Sequence, residues 1–106
     1  MTTYDDRERA FEAKFAHDAE MQFRAEARRN KLVGLWAAEL LGKSGDEALD
    51  YARTVIEHDL HEPGIEDVVA KLAADLGPRS SAEAIRTKLH ELLPVAKAQL
   101  MSEVEV

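Results

Sequence analysis

The sequence predicts an all-α protein, a small four-helix bundle with a long first helix and a mobile or projecting N-terminal arm. Three observations predict it. Apolar residues recur three and four apart in four separate segments, the period of one helix face. No stretch alternates with period two for long enough to be a strand, and there is no internal repeat. The segments are joined by short connectors rich in Gly, Pro and Ser, and short connectors favour antiparallel neighbours.

The first segment, residues 3–42, changes character halfway. Thr3 with Asp6 three residues on resembles a capping box, and Asp5, Asp6 and Glu8 lie where the helix dipole favours anions. From residue 5 to 31 nearly every residue is charged, Ala or Phe. A narrow row at every fourth position, Phe11, Phe15, Ala19, Phe23 and Ala27, is flanked by charges that pair at i to i+4, such as Glu20 with Arg24. Residues 32–41, Leu-Val-Gly-Leu-Trp-Ala-Ala-Glu-Leu-Leu, hold one charge, Glu39. The second half demands burial and the first does not. A continuous helix of about 38 residues would span roughly 57 Å, against a radius of gyration near 13 Å for a compact domain of this size. A helical front half therefore overhangs the body. The expected division is an arm over residues 1–20, a bundle over 21–103 and a frayed tail over 104–106. Isolated helices are marginal in water, so both a helical and a mobile free arm stay open.

Gly34 interrupts the apolar half, which is accounted for by close packing against a neighbouring helix, and Gly42 supplies a left-handed C-cap. Ser44 with Glu47 forms a capping box for a second helix, with Leu49, Ala52, Val55, Ile56 and Leu60 on its apolar face and a stop near Pro63-Gly64. A third, shorter helix carries Ile65, Val68, Val69, Leu72 and Leu76 and stops at Gly77-Pro78. Ser80 with Glu83 opens a fourth, with Ile85, Leu89, Leu92, Leu93, Ala96 and Leu100. Pro94 falls inside that stripe, so a kink or relay is expected near residues 90–93.

The formal charge of −7 is uneven. Residues 1–31 balance Asp5, Asp6, Glu8, Glu12, Asp18, Glu20 and Glu26 against Arg7, Arg9, Lys14, Arg24, Arg28, Arg29 and Lys31, so the excess acid lies in the body. An acidic body disfavours nucleic acid. A neutral, densely charged arm with two phenylalanines suits a groove on a protein partner. The chain has no Cys, which excludes disulfides, thiolate nucleophiles and Cys-ligated zinc. Neither an export signal nor an apolar run of membrane-spanning length is evident, and a cytoplasmic protein without membrane insertion is expected.

Motifs for chemistry are sparse. Gly42-Lys43-Ser44 lacks the first glycine of a phosphate loop, where Ala37 stands, and a helix end followed by an N-cap accounts for all three residues. His58 and His61, with Glu57, Asp59 and Glu62, have a metal-compatible spacing but lie off the apolar stripe without a third strong ligand, and a solvated polar face is the alternative. His17 and His90 can titrate near neutrality if a partner buries them. Ser44, Ser80 and Ser81 sit at helix starts and Ser102 in the tail, which leaves no free nucleophile and argues against an enzyme. Arg24, Arg28, Arg29 and Lys31, close to Trp36, are the one local concentration of cations; they form either an anion site or a solvated rim.

The string Asp5-Asp6-Arg7-Glu8-Arg9-Ala10-Phe11-Glu12-Ala13-Lys14-Phe15-Ala16-His17-Asp18, continued by Arg28-Arg29-Asn30-Lys31-Leu32 and Leu35-Trp36-Ala37-Ala38-Glu39-Leu40-Leu41-Gly42, resembles the zeta subunit of alphaproteobacterial ATP synthases. The likeness is dense over residues 4–45 and looser to about residue 101. It implies a non-catalytic regulator, monomeric when free and peripheral on the cytoplasmic side of the membrane-bound enzyme. Such a regulator binds the catalytic head, with its alpha, beta and gamma subunits, and blocks ATP hydrolysis. In that family the N-terminal segment is the inhibitory element, helical when wedged into the head, while the body docks outside. Carried over, the wedge holds Tyr4, Asp5, Asp6, Arg7, Arg9, Phe11, Lys14, Phe15 and His17, with the phenylalanines as anchors and Asp5, Arg7, Arg9 and Lys14 as charge partners. The resemblance also implies ADP or ATP as a regulatory ligand of the isolated subunit, with no cofactor required. Arg24, Arg28, Arg29, Lys31 and Trp36 are the expected location. The competing expectation is a helical nucleotide sensor or interaction module that does not block the ATPase directly.

Overall fold

The protein, seen in a computed structural model that describes residues 19–58 and 64–104, is an all-α bundle. Among the described residues the helices are α1 (Ala19–Leu40), α2 (Gly45–His58), α3 (Glu66–Leu76) and α4 (Ala82–Val104), with a 3-10 turn, Gly77–Arg79, between α3 and α4. Among the described residues there is no strand. The expected helix start at Thr3, the arm up to residue 18, Leu60, Pro63 and the last two residues lie outside the described residues.

α1 ends as its glycine requires. Gly42 has φ +78°, its N–H donates to the Glu39 carbonyl at 3.0 Å, and the Lys43 N–H donates to the Ala38 carbonyl at 2.9 Å. This pair of bonds closes the helix and satisfies carbonyls that would otherwise be orphaned. Gly34 is buried against α2, where a Cβ would meet the Ala52 Cα at 2.8 Å. The close packing expected of Gly34 is thus present.

Three expectations for the other helices are corrected in detail. On α2, Ala52 and Val55 are buried but Leu49 is 46% exposed. Tyr51 packs at the edge of the core in its place, because the face of α2 that meets α1 is turned toward Ala52. The cap of α4 is Ser81, whose Oγ accepts from the Ala84 N–H at 3.1 Å, while Ser80 is in extended backbone closing the 3-10 turn. The pattern Ser-x-x-Glu at residues 80–83 therefore misplaces the cap by one residue. Finally, α4 passes through Pro94 as one 23-residue helix, so the relay into a separate helix, one of the two outcomes expected there, does not occur. The proline removes the bond to the His90 carbonyl, and both Pro94 and His90 are exposed, so water can take the freed carbonyl without a break in the helix.

The interior has two parts. Val33, Ala37, Val55, Val68, Val69, Leu72, Leu76, Ile85 and Leu89 form the main core, to which every helix contributes. Met21, Ala25 and Leu100, flanked by Leu93 and Met101, form a smaller cluster between α1 and α4. The early part of α1 meets the late part of α4 in the small cluster, and the later part of α1 meets the early part of α4 in the main one. The two long helices are therefore antiparallel.

Candidate functional site

The wedge residues Tyr4, Asp5, Asp6, Arg7, Arg9, Phe11, Lys14, Phe15 and His17 lie outside the described residues. The row of every fourth residue to which Phe11 and Phe15 belong continues into the described helix at Ala19, Phe23 and Ala27. Phe23 is 56% exposed, whereas Met21 and Ala25 on the same helix are buried. The row thus runs on the solvent side of α1. On either side of Phe23 the surface is polar. Arg24 donates to Glu20 at 2.7 Å, the i to i+4 pair the spacing predicts, and Gln22 donates to Glu26 at 3.2 Å. An exposed phenylalanine flanked by one ion pair and one amide–carboxylate bond is a surface that a protein groove can cover, because the polar groups remain wet at its rim.

The cationic residues near Trp36 are drawn to different places. Arg24 is engaged with Glu20. Arg28 turns to α4, where one guanidinium nitrogen donates to Gln99 at 3.0 Å and another to both carboxylate oxygens of Glu103, at 2.8 and 3.1 Å. Arg29 is buried at 6% exposure and its Nε donates to Asn30 Oδ1 at 3.1 Å. Lys31 is exposed. Trp36 is partly buried under a different cation, Lys88, whose Nζ lies 5.8 Å from the ring centre. A groove of about 450 Å³ runs beside it, lined by Ser81, Glu83, Thr87, Lys88 and Glu91 among others. Of the five residues expected to hold a nucleotide, Trp36 alone borders that groove, and the four cations do not converge on it.

Other expectations are placed as follows. Gly42-Lys43-Ser44 is a helix end followed by a helix start, with Lys43 reaching Glu47 at 4.0 Å. His58 is exposed at the end of α2, and Asp59, His61 and Glu62 lie outside the described residues. Among the described residues no group of three His, Cys, Asp or Glu can hold a metal ion, and no helix is long and apolar enough to cross a membrane.

Two polar contacts between helices lack a local sequence signal. The Tyr51 hydroxyl donates to Asp75 at 2.7 Å, and Lys71 donates to the same oxygen at 3.0 Å while lying 5.2 Å from the Tyr51 ring centre. Burial first, and then the hydrogen bond to the Asp75 carboxylate, push the Tyr51 phenol above its ordinary pKa. Burial opposes the Asp75 carboxylate, but the bonds from Tyr51 and Lys71 outweigh it and hold the group below the usual carboxylate range. Arg86 on α4 forks onto Glu66 on α3 at 2.8 and 3.1 Å, which lowers the Glu66 pKa and raises that of Arg86. All of these tie the bundle together, and none of them forms a catalytic arrangement.

A family model described as ATPase inhibitor subunit zeta matches residues 1–99. No curated protein matches the chain. Among solved structures, a solution NMR structure is similar at 57% sequence identity and a TM-score of 0.73; the match covers 78% of this chain and 98% of that one.

Proposed function

The chain belongs to the ATPase inhibitor subunit zeta family, and from that premise we propose that it is a non-catalytic regulator. It binds the catalytic head of an ATP synthase on the cytoplasmic side of the membrane and inhibits ATP hydrolysis by inserting residues 4–17 at a catalytic interface. The observation that carries this reading is the outward position of Phe23. It puts the described end of the Phe11, Phe15, Ala19, Phe23, Ala27 row on the surface of the body and not in its core.

A rotary ATPase turns over only while its catalytic interfaces open and close in sequence. A rod held in one interface fixes that conformation and stops the cycle. Ordering a segment costs roughly 1 to 2 kcal/mol per residue in backbone entropy, while a buried phenylalanine returns about 1.5 to 3 kcal/mol. Phe11 and Phe15 therefore anchor the rod but do not hold it alone. Helix hydrogen bonds and charge-assisted contacts from Asp5, Arg7, Arg9 and Lys14 supply the remainder.

The test is an ATPase assay with full-length protein, protein lacking residues 1–15, and a Phe11→Ala/Phe15→Ala variant. The expected result is a folded bundle in each case and loss of inhibition in the two altered proteins. Full inhibition by the truncated protein would remove the arm from the mechanism. Saturable amide shifts on adding ADP, without capture of an ATPase, would replace this reading by a nucleotide sensor.

A further inference from the structure

The early turns of α1 stand apart from the four-helix core. They are held by α4 through the small cluster of Met21, Ala25 and Leu100 and through the contacts of Arg28 with Gln99 and Glu103. Those contacts span 71 and 75 residues of sequence. The Arg28 side chain is 25% exposed, against 55% for Arg24 in its pair with Glu20. Glu20–Arg24, Arg53–Asp50, Lys71–Asp75 and Lys88–Glu91 each lie within one helix and stabilise it locally. The Arg28 fork instead ties the start of the first helix to the end of the last.

We infer that Arg28 is a positioning residue for inhibition. By clamping α1 to the last turns of α4 at Gln99 and Glu103, it keeps residues 19–27 ordered as the fixed base from which the preceding segment is presented to the ATPase. This rests on the proposed role of that segment. The physical reason is entropic. A segment leaving a rigid base searches a limited volume, whereas release of residues 19–27 adds them to the residues that must be ordered at the moment of binding. Arg28 therefore acts through the helix, without contact with the ATPase, and the end of α4 becomes a control point for an activity located at the other end of the sequence.

The experiment compares Arg28→Glu, Glu103→Arg and the double variant in the full chain, reading amide hydrogen exchange across the body and the half-inhibitory concentration against the purified catalytic head. Each single change is expected to speed exchange at residues 19–27 and to raise the half-inhibitory concentration about fivefold, the scale of a partly shielded ion pair. Exchange at Leu72 and Ile85 stays unchanged, and the double variant, with the charges exchanged, recovers most of both effects. Three results overturn the inference: unchanged exchange at residues 19–27 in the single variants; faster exchange with unaltered inhibition; or a double variant with restored exchange but defective inhibition, which would make Arg28 a direct contact. Failure of the arm itself is distinguishable, because it appears as full inhibition by the protein lacking residues 1–15 while the exchange result stands by itself.

Discussion

Gly34 and Ala52 bring α1 and α2 together so closely that a Cβ on Gly34 would lie 2.8 Å from the Ala52 Cα and 3.1 Å from its Cβ. Backbone is the obstacle, so no side-chain rotation relieves the contact. In Gly34→Ala the helix gains about 1 kcal/mol in propensity against roughly 1 to 3 kcal/mol of overpacking, and net destabilisation is expected. In Gly34→Val the propensity gain shrinks and the clash grows. Urea denaturation followed by circular dichroism should rank them wild type, Ala, Val in falling stability; an Ala variant more stable than wild type would mean that the helices separate at little cost.

The capping position of α4 separates two adjacent serines. Ser81 Oγ accepts from Ala84 N–H, so Ser81→Ala should cost about 1 kcal/mol. Ser80 has extended backbone geometry outside the helix, and Ser80→Ala should stay within about 0.5 kcal/mol of wild type. Thermal melts of the two variants decide it, and equal losses would count against the one-residue offset.

Tyr51 gives the bundle an alkaline limit. Burial, with the bond to Asp75, raises the phenol pKa in the folded state above the unfolded value near 10. A raised folded pKa means that the contribution is fully present below the unfolded value and is lost as pH rises toward the folded one. Stability should therefore fall from about pH 10 upward. Tyr51→Phe should cost about 1 kcal/mol at neutral pH and flatten that decline. Asp75 acts oppositely: its lowered pKa contributes stability above the unfolded carboxylate value, lost as pH falls below it. Melting temperature against pH for wild type, Tyr51→Phe and a Tyr4→Phe control checks this, and an unchanged alkaline limb in Tyr51→Phe would refute it.

Phe23 should matter to inhibition and hardly at all to folding. At 56% exposure its truncation to Ala should shift stability by no more than about 0.5 kcal/mol. If the partner covers the ring, the half-inhibitory concentration should rise about tenfold. Inhibition equal to wild type would confine the contact surface to the residues before Ala19.

How much of this was legible beforehand depended on whether the cause was local. Periodicity placed Val68, Val69, Leu72 and Leu76 on one buried face, and Gly42 marked its helix end, because spacing and a single φ value decide those features. Leu49 was misplaced because a helix face is chosen by what packs on it, and the approach of Ala52 to Gly34 sets the rotation of α2. Pro94 reads as the site of a kink or relay because sequence records the lost N–H but not the solvent exposure that lets one helix run through it. Ser80 and Ser81 are equivalent as symbols and differ only in backbone angle. The Arg28 contacts with Gln99 and Glu103 have no local signature at all, which is why Arg24, Arg28, Arg29 and Lys31 read as one cationic cluster when the fold sends them in different directions.

The small cluster of Met21, Ala25 and Leu100 has two walls where the main core has four. Parting it uncovers a handful of apolar side chains and leaves the larger interior sealed. The opening end of α1 and the closing end of α4, remote in the chain, therefore form a single melting unit: on warming they should come undone together, ahead of the centre, which hydrogen exchange of the two ends would read as a shared opening rate.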